Sequence, residues 1–423
     1  MQHVILCAVG SAGDVHPILG LGRVLKQRGC RITFLTAGYF KPQVEKAGFE
    51  FVDTLPNCDF HSMLNDPKIW HPIHGTRKVM ELAVKPMLRT MYAAIEKHYD
   101  PRNTKVVAST LAFGARVAQE KLGIPLTTIH LSPALFRSQY EGPRLPKVWV
   151  HRGPPWFKRF QWYVADRFVI DPMITPWLNE FRHSLGLPPV KRILREWWHS
   201  PQQVLAFFPK WFCEPQPDWP STTKLTGFPL YSEEGLTEPS PELVEFLQSG
   251  SKPIAFTPGS ANLFGHDFFR AAADACHTLG RRGVLLTRFG DQIPNELPPG
   301  VKHFEFAPFR WLLPHVEMLV HHGGVGSMSQ AMAAGIPQII MPMAFDQVDN
   351  AYRVEKLGVG GSLARERFQC EHLAPLINKL LSSSAVRLNC ADIASRLAHE
   401  DGLQNACDEI LRPTDAGISC GSS

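Results

Sequence analysis

The 423-residue chain contains no Asp-x-Asp, no Cys-x-x-Cys and no uncharged apolar stretch approaching a membrane span. The first absence removes the usual carboxylate pair for a divalent cation; neither metal nor cofactor is expected. The second leaves nine cysteines scattered from Cys7 to Cys420, odd in number and without metal-ligand pairing. A charged leader with a long apolar run is also missing, since the chain opens directly into Val4-Ile5-Leu6. Together these features predict a cytoplasmic protein with reduced thiols and no signal peptide. Strong charge of one sign is lacking as well: 44 Lys and Arg against 39 Asp and Glu give +5, too mild to imply nucleic acid. What is present is an ordinary globular composition, 44% hydrophobic and 20% charged, at a length that exceeds one core and implies two domains.

The chain alternates short apolar runs with helical stretches. Residues 3–9 read as a strand, Gly10-Ser11-Ala12-Gly13-Asp14 as its turn, and Pro17 as the start of a helix that stops at Gly29. Residues 31–36 and 105–108 repeat the strand signal, the latter before a helix over 114–122. A second set begins near 253, with strands at 253–257, 283–287, 318–320 and 338–341 and a helix over 327–334. Such alternation implies α/β architecture, two Rossmann-like domains each built on a parallel sheet, with ligands outside the carboxyl ends of the strands. The expected division is an N-terminal domain over 1–228, a linker over 229–245 and a C-terminal domain over 246–390. Residues 391–423 should form helices returning to the first domain, with a disordered tail from 414.

Two turns in the C-terminal half carry chemistry. His321-His322-Gly323-Gly324-Val325-Gly326-Ser327 follows a strand and opens a helix, so it offers bare backbone N–H groups, the positive helix end and side-chain donors to an anion. It has neither the Lys of a nucleoside-triphosphate loop nor the spacing of a dinucleotide fold. Asp346-Gln347, with Asn350 beyond, sets an acid beside an amide at the next strand end, a pair suited to neighbouring sugar hydroxyls. Alone, the first reads equally well as a tight turn whose glycines serve packing, and the second reads more readily as a surface turn with a helix cap.

In order, residues 304–363 resemble the donor signature of the nucleotide-sugar-dependent glycosyltransferases that include plant, antibiotic and sterol enzymes. The signature runs Phe306-Ala307-Pro308, the His-His-Gly-Gly turn, Ala333-Ala334-Gly335-Ile336-Pro337, then Asp346-Gln347 and Asn350-Ala351. The resemblance implies the GT-B fold, two Rossmann-like domains facing across a cleft. It implies that His322, Gly324, Gly326 and Ser327 hold a diphosphate with Ser260 opposite. Phe306 would lie near the base, Gln330 would take the place of a ribose-binding Glu, and Asp346 and Gln347 would hold the sugar. Gly10-Ser11-Ala12-Gly13-Asp14-Val15-His16 resembles the family's acceptor turn, which places Ser11, Ala12 and Ser109 on the acceptor side; Trp162, from the tryptophan-rich segment, is a further acceptor-side candidate. An inverting transfer needs a base at that turn. Asp14 and His16 are both candidates. The orienting Asp of the His-based members falls at Ser109 here, and a carboxylate has no tautomer to orient, so Asp14 is favoured. Outside the family, Asp14 would read as a helix cap.

Further stretches, among them Trp198-His199-Ser200-Pro201-Gln202 and Thr226-Gly227-Phe228-Pro229-Leu230, resemble a narrower branch, the rhamnosyltransferases of bacterial rhamnolipid synthesis. That branch implies dTDP-rhamnose as co-substrate and a dimer of 3-hydroxy fatty acids as acceptor. His321-His322-Gly323-Gly324 departs from the His-Pro-Gly-Gly of the branch, which leaves UDP-glucose open as the donor. A sterol or other natural product remains open as the acceptor, and a nucleotide-sugar epimerase of the same fold is the further alternative. Eight of the ten tryptophans fall in residues 145–220. Beside Lys147, Arg152, Lys158 and Arg159 they suit either core packing or a peripheral contact with the inner face of the cytoplasmic membrane.

Overall fold

The computed structural model describes residues 1–56, 66–71, 74–145, 151–231, 238–260, 262–263 and 265–412. The tail from 414, Lys147, Trp149 and the middle of the expected linker lie outside the described residues.

Two sheets form, and every ladder in them is parallel. The first comprises β1 (His3–Cys7), β2 (Arg31–Thr36), β3 (Glu50–Asp53), β4 (Thr104–Ser109), β5 (Leu126–His130), β6 (Gln203–Ala206) and β7 (Thr223–Leu225), in the order β3-β2-β1-β4-β5-β6-β7. The second comprises β8 (Ile254–Thr257), β9 (Gly283–Leu286), β10 (Val301–Phe304), β11 (Met318–His321), β12 (Gln338–Ile340) and β13 (Gly360–Ser362), in the order β10-β9-β8-β11-β12-β13. The central strands are buried on both faces because helices cover both sides, which is why they read as apolar runs. The strands without a sequence signal include all four at the sheet edges, β3, β7, β10 and β13, where exposure relaxes the hydrophobic pattern. In each sheet the strand order reverses at one point, between β1 and β4 and between β8 and β11. Crevices at such reversals receive ligands, and all the sequence-derived turns except the Asp346 turn border these two.

Helix α1 covers Ala12–Gln27 and corrects the expectation of a start at Pro17, which lies inside it. Asp14 reaches back to accept from the amide and the hydroxyl of Ser11, the N-cap residue, and this pairing begins the helix five residues early. Helix α2 is Phe113–Leu122, and α3 is Pro155–Ala165, continued by a wider turn over Asp166–Ile170. In the second half, α4 (Val325–Ala333) follows β11 and α5 (Gln347–Lys356) follows β12. The last helix, α6 (Gly402–Leu411), packs on α1, and its Ala406, Cys407 and Ile410 join the core of the first sheet. Arg28 pairs with Asp408 at 3.0 Å across that contact. Behind α5, buried Arg353 pairs with Asp349 at 2.7 Å and donates to the Phe212 carbonyl at 3.1 Å. The Arg144 amide donates to the same Asp349 at 2.9 Å, so this cluster ties the two halves together.

A buried chain of neutral donors sits at the end of β5. Trp198 Nε1 donates to His199 Nε2 at 3.1 Å, which leaves His199 Nδ1 to donate to His130 Nε2 at 2.8 Å. His130 Nδ1 then donates to Thr110 Oγ1, whose hydroxyl donates to the Ile129 carbonyl. No position in this network accepts another proton, and burial holds both imidazoles far below 6.5, His199 at about 3. The unfolded chain therefore binds more protons below pH 6.5, and folding stability falls as pH drops through that range. Between pH 7 and pH 5, Tm of the wild type should lose more than Tm of His199→Gln; the same change in both proteins would contradict the network.

Candidate active site

The acceptor-side turn is built around one carboxylate. Asp14 Oδ2 accepts from the Ser11 amide at 2.8 Å and from Ser11 Oγ at 3.1 Å, and neither bond uses Oδ1. Burial raises its pKa to about 6; the Ser11 bonds oppose the rise and the charge of Asp346 adds to it. A carboxylate poised there can hold a proton or take one near neutral pH. His16 follows two residues later on α1, about 200° around the helix. Its ring packs on Tyr231 at 5.7 Å, so the two candidate bases face different surroundings. Ser109 is buried at the end of β4 and its Oγ accepts from the Val9 amide at 3.1 Å, which fixes the turn from behind.

The donor-side turn is held by β11 and α4. His321 is structural: its Nε2 donates to Gln338 Oε1 at 2.9 Å and its Nδ1 accepts from the Gly323 amide at 3.1 Å. The His322 ring lies between two backbones. A Cβ on Gly259 would stand 2.7 Å from its Cε1, and one on Gly324 would stand 2.5 Å from its Nε2. Glycine at both places is what lets the imidazole sit at the crevice between β8 and β11. Burial lowers its pKa to about 4, and its Nδ1 is buried without a hydrogen-bond partner. Gly324 is the N-cap of α4, so the N–H groups of Val325, Gly326 and Ser327 have no partner within the helix. Ser260, beyond Gly259, is exposed.

Asp346 caps α5, and Asn350 Nδ2 bridges its Oδ2 at 3.0 Å to the Gly323 carbonyl at 2.9 Å. This bridge joins the sugar-type turn to the phosphate-type turn. Gln347 turns its Oε1 to the Met343 and Ala344 amides at 2.8 and 3.1 Å, so its carbonyl holds the loop and only its NH2 is left for a ligand. Phe345, next to Asp346, has φ +56°, a backbone strain of about 1–3 kcal/mol for a bulky residue. Neither that strain nor Ser132, whose hydroxyl reaches Asp346 from the end of β5, has a signal in the residue pattern. Asp14, Ser132 and Asp346 thus bring both sheets to one cleft.

Phe306 is half-buried with the Arg288 guanidinium 5.4 Å from its ring. Gln330 donates to the Tyr231 carbonyl at 3.4 Å, which places it at the crossing between the halves. Trp162 is buried in α3, its ring 4.7 Å from the Arg137 guanidinium and its Nε1 3.5 Å from the Ser138 carbonyl. Ala12 and Ser11 are half-buried at the start of α1. Among the described residues no group of three His, Cys, Asp or Glu could hold a metal ion, and no helix is long and apolar enough to cross a membrane.

Two parallel sheets with an anion-type turn on one and an acidic turn on the other define a GT-B glycosyltransferase, and two family models agree. The Glycosyltransferase family 28 N-terminal domain matches residues 4–140, and the erythromycin biosynthesis protein CIII-like C-terminal domain matches residues 287–411. The chain is a glycosyltransferase with the GT-B fold. It is similar to the O-mycaminosyltylonolide 6-deoxyallosyltransferase of Streptomyces fradiae, 27% identical over 430 residues and 96% of each chain. It is 24% identical to a sterol 3-beta-glucosyltransferase of Arabidopsis thaliana, over 97% of this chain and 68% of that one. Some sterol relatives are much longer, and the chain spans 34% of the one from Pichia angusta. Among solved structures, the glycotransferase of kitacinnamycin superposes with a TM-score of 0.73 at 21% identity, over 97% and 98% of the two chains. The spinosyn rhamnosyltransferase SpnG, complexed with thymidine diphosphate, gives 0.65 at 16% identity over 98% and 100%.

Proposed function

We propose that this protein is an inverting, metal-independent rhamnosyltransferase. It moves L-rhamnose from dTDP-rhamnose to the free hydroxyl of a 3-(3-hydroxyalkanoyloxy)alkanoate. The observation that carries the reaction type is Asp14, a carboxylate with an uncommitted Oδ1 and a pKa near 6, set in the cleft that also holds Asp346. Asp14 takes the proton of the acceptor hydroxyl as its oxygen bonds to the anomeric carbon. The bond from that carbon to the diphosphate breaks on the opposite face, which inverts the centre. His322 and the N–H groups opening α4 receive the negative charge that grows on the leaving diphosphate, so the step needs no cation. The lack of Asp-x-Asp supports the same reading. Asp346 and the Gln347 NH2 hold sugar hydroxyls, and Ser260, Phe306 and Gln330 hold the nucleotide.

The sugar and acceptor rest on the branch resemblance, and the activities named for two relatives support a 6-deoxyhexose donor, 6-deoxyallosyl in one and rhamnosyl in the other. The second reading, UDP-glucose with a lipid, sterol or natural-product acceptor, is favoured by His322 standing where the branch has Pro, and by the sterol glucosyltransferases. An epimerase would alter its nucleotide sugar with no acceptor present. The test is mass spectrometry of products from purified protein, the fatty-acid dimer and either donor, with EDTA present. A deoxyhexose adduct from dTDP-rhamnose is the expected result. A hexose adduct from UDP-glucose transfers the protein to the second reading, and activity abolished by EDTA overturns the metal-free step.

A further inference from the structure

Helix α3 and the turn that continues it carry an apolar face on the wrong side for a helix that only covers a core. Their inward side is secured by Trp162 and by Lys158, whose Nζ donates to the Tyr140 carbonyl at 2.6 Å. At 100° per residue Trp156, Phe157, Phe160, Tyr163 and Val164 fall on the opposite side. All five are exposed, Trp156 to 71% and Phe160 to 56%, and Phe168 at 67% extends the face. Seven of the ten exposed large hydrophobic residues among those described lie between 156 and 169. A surface helix normally turns polar residues outward, and a contiguous apolar patch marks a contact.

The charge around the patch selects its partner. Arg152, Arg159 and Arg167 are exposed at its margin, and the one acid in residues 151–170, Asp166, is buried against Arg137. A two-fold contact with a second copy would set these arginines against their own counterparts, with no acid to offset them. An anionic bilayer supplies both what the rings and what the guanidinium groups need: aromatics settle at headgroup level while cations meet lipid phosphates. We infer that α3 and its continuation dock the protein on an anionic lipid surface, with Trp156, Phe160 and Phe168 entering the headgroup layer.

The placement also bears on the reaction. The inner side of α3 rests on residues 137–140, a few positions beyond Ser132, which touches Asp346. The docked face is therefore attached to the acceptor wall of the cleft, which deepens the lipid-acceptor reading and rests on it for its purpose. The test contains neither donor nor acceptor, so its failure leaves that reading standing.

The full chain is sedimented with vesicles of phosphatidylcholine alone and of phosphatidylcholine with phosphatidylglycerol. Binding to the anionic vesicles, weakened by salt, is expected. The triple variant Trp156→Ser, Phe160→Ser, Phe168→Ser should bind about tenfold or more weakly while keeping its Tm, because these side chains are exposed. Arg159→Glu with Arg167→Glu should remove the preference for phosphatidylglycerol. No binding of the wild type at low salt, or equal binding by the triple variant, overturns the inference. So does a wild-type dimer in solution that the triple variant dissociates, because the face would then belong to a second copy.

Discussion

Asp14→Asn should lower kcat by about a thousandfold, the usual scale for losing a positioned general base, while leaving the affinity for the nucleotide unchanged. The split follows from geometry: Asp14 belongs to the acceptor turn, and the diphosphate groups belong to β11 and α4. His16→Asn should retain most activity, because His16 faces Tyr231 from another side of α1. In the wild type, kcat/KM should climb as pH rises through about 6 and then level, tracking ionisation of Asp14. A variant that kept full turnover, or a wild-type profile flat from pH 5 to 7, would remove Asp14 from the reaction.

The same carboxylate makes a stability prediction of opposite sign. Its pKa is raised on folding from 3.8 to about 6, so the folded chain holds the proton more tightly. The stabilisation is complete below 3.8 and is lost as pH rises through 6, leaving an ionised, half-buried group in the native state at pH 8. Asp14→Asn should therefore raise Tm at pH 8 by roughly 2–4 °C, with the gain vanishing toward pH 4. The amide oxygen can still accept from Ser11, so the cap on α1 survives. A variant both inactive and more stable identifies a residue kept for chemistry rather than for folding.

The second large effect is at the diphosphate turn. His322→Ala should reduce kcat/KM by about a hundredfold or more, in line with removing one donor to a developing anion. Gly324→Ala should act through the same ring. Its Cβ would fall 2.5 Å from His322 Nε2, and neither the backbone nor a ring boxed in by Gly259 has room to yield. Nucleotide affinity, measured by titration calorimetry with dTDP and UDP, should weaken in both variants, while Gly326→Ala, which faces open space, should not weaken it through this ring. Unchanged affinity in both His322→Ala and Gly324→Ala would show that this imidazole does not serve the diphosphate.

Much of this architecture was legible in the residues. The buried strands β1, β2, β4, β8, β9, β11 and β12 and the glycine turns beside them are local signals, set by side-chain period and backbone freedom within a few positions. They were enough to locate two α/β halves and the turns holding Asp14, His322 and Asp346. The edge strands were not legible, because β3 and β7 are half exposed and β13 is Gly-Gly-Ser. Nor was the start of α1, where Pro17 suggested a boundary and the Ser11–Asp14 pair overrode it.

The tertiary structure decided what depends on distant segments meeting. Asp14, Ser132 and Asp346 come from three strand ends in two sheets, and only the packing of those sheets lets one carboxylate raise the pKa of the other. The aromatic segment shows the same limit. Helix α3 is apolar on two faces, and its period cannot say which one the core will take. Packing against Arg137 and Ser138 buried Trp162 and left Trp156 and Phe160 turned to solvent.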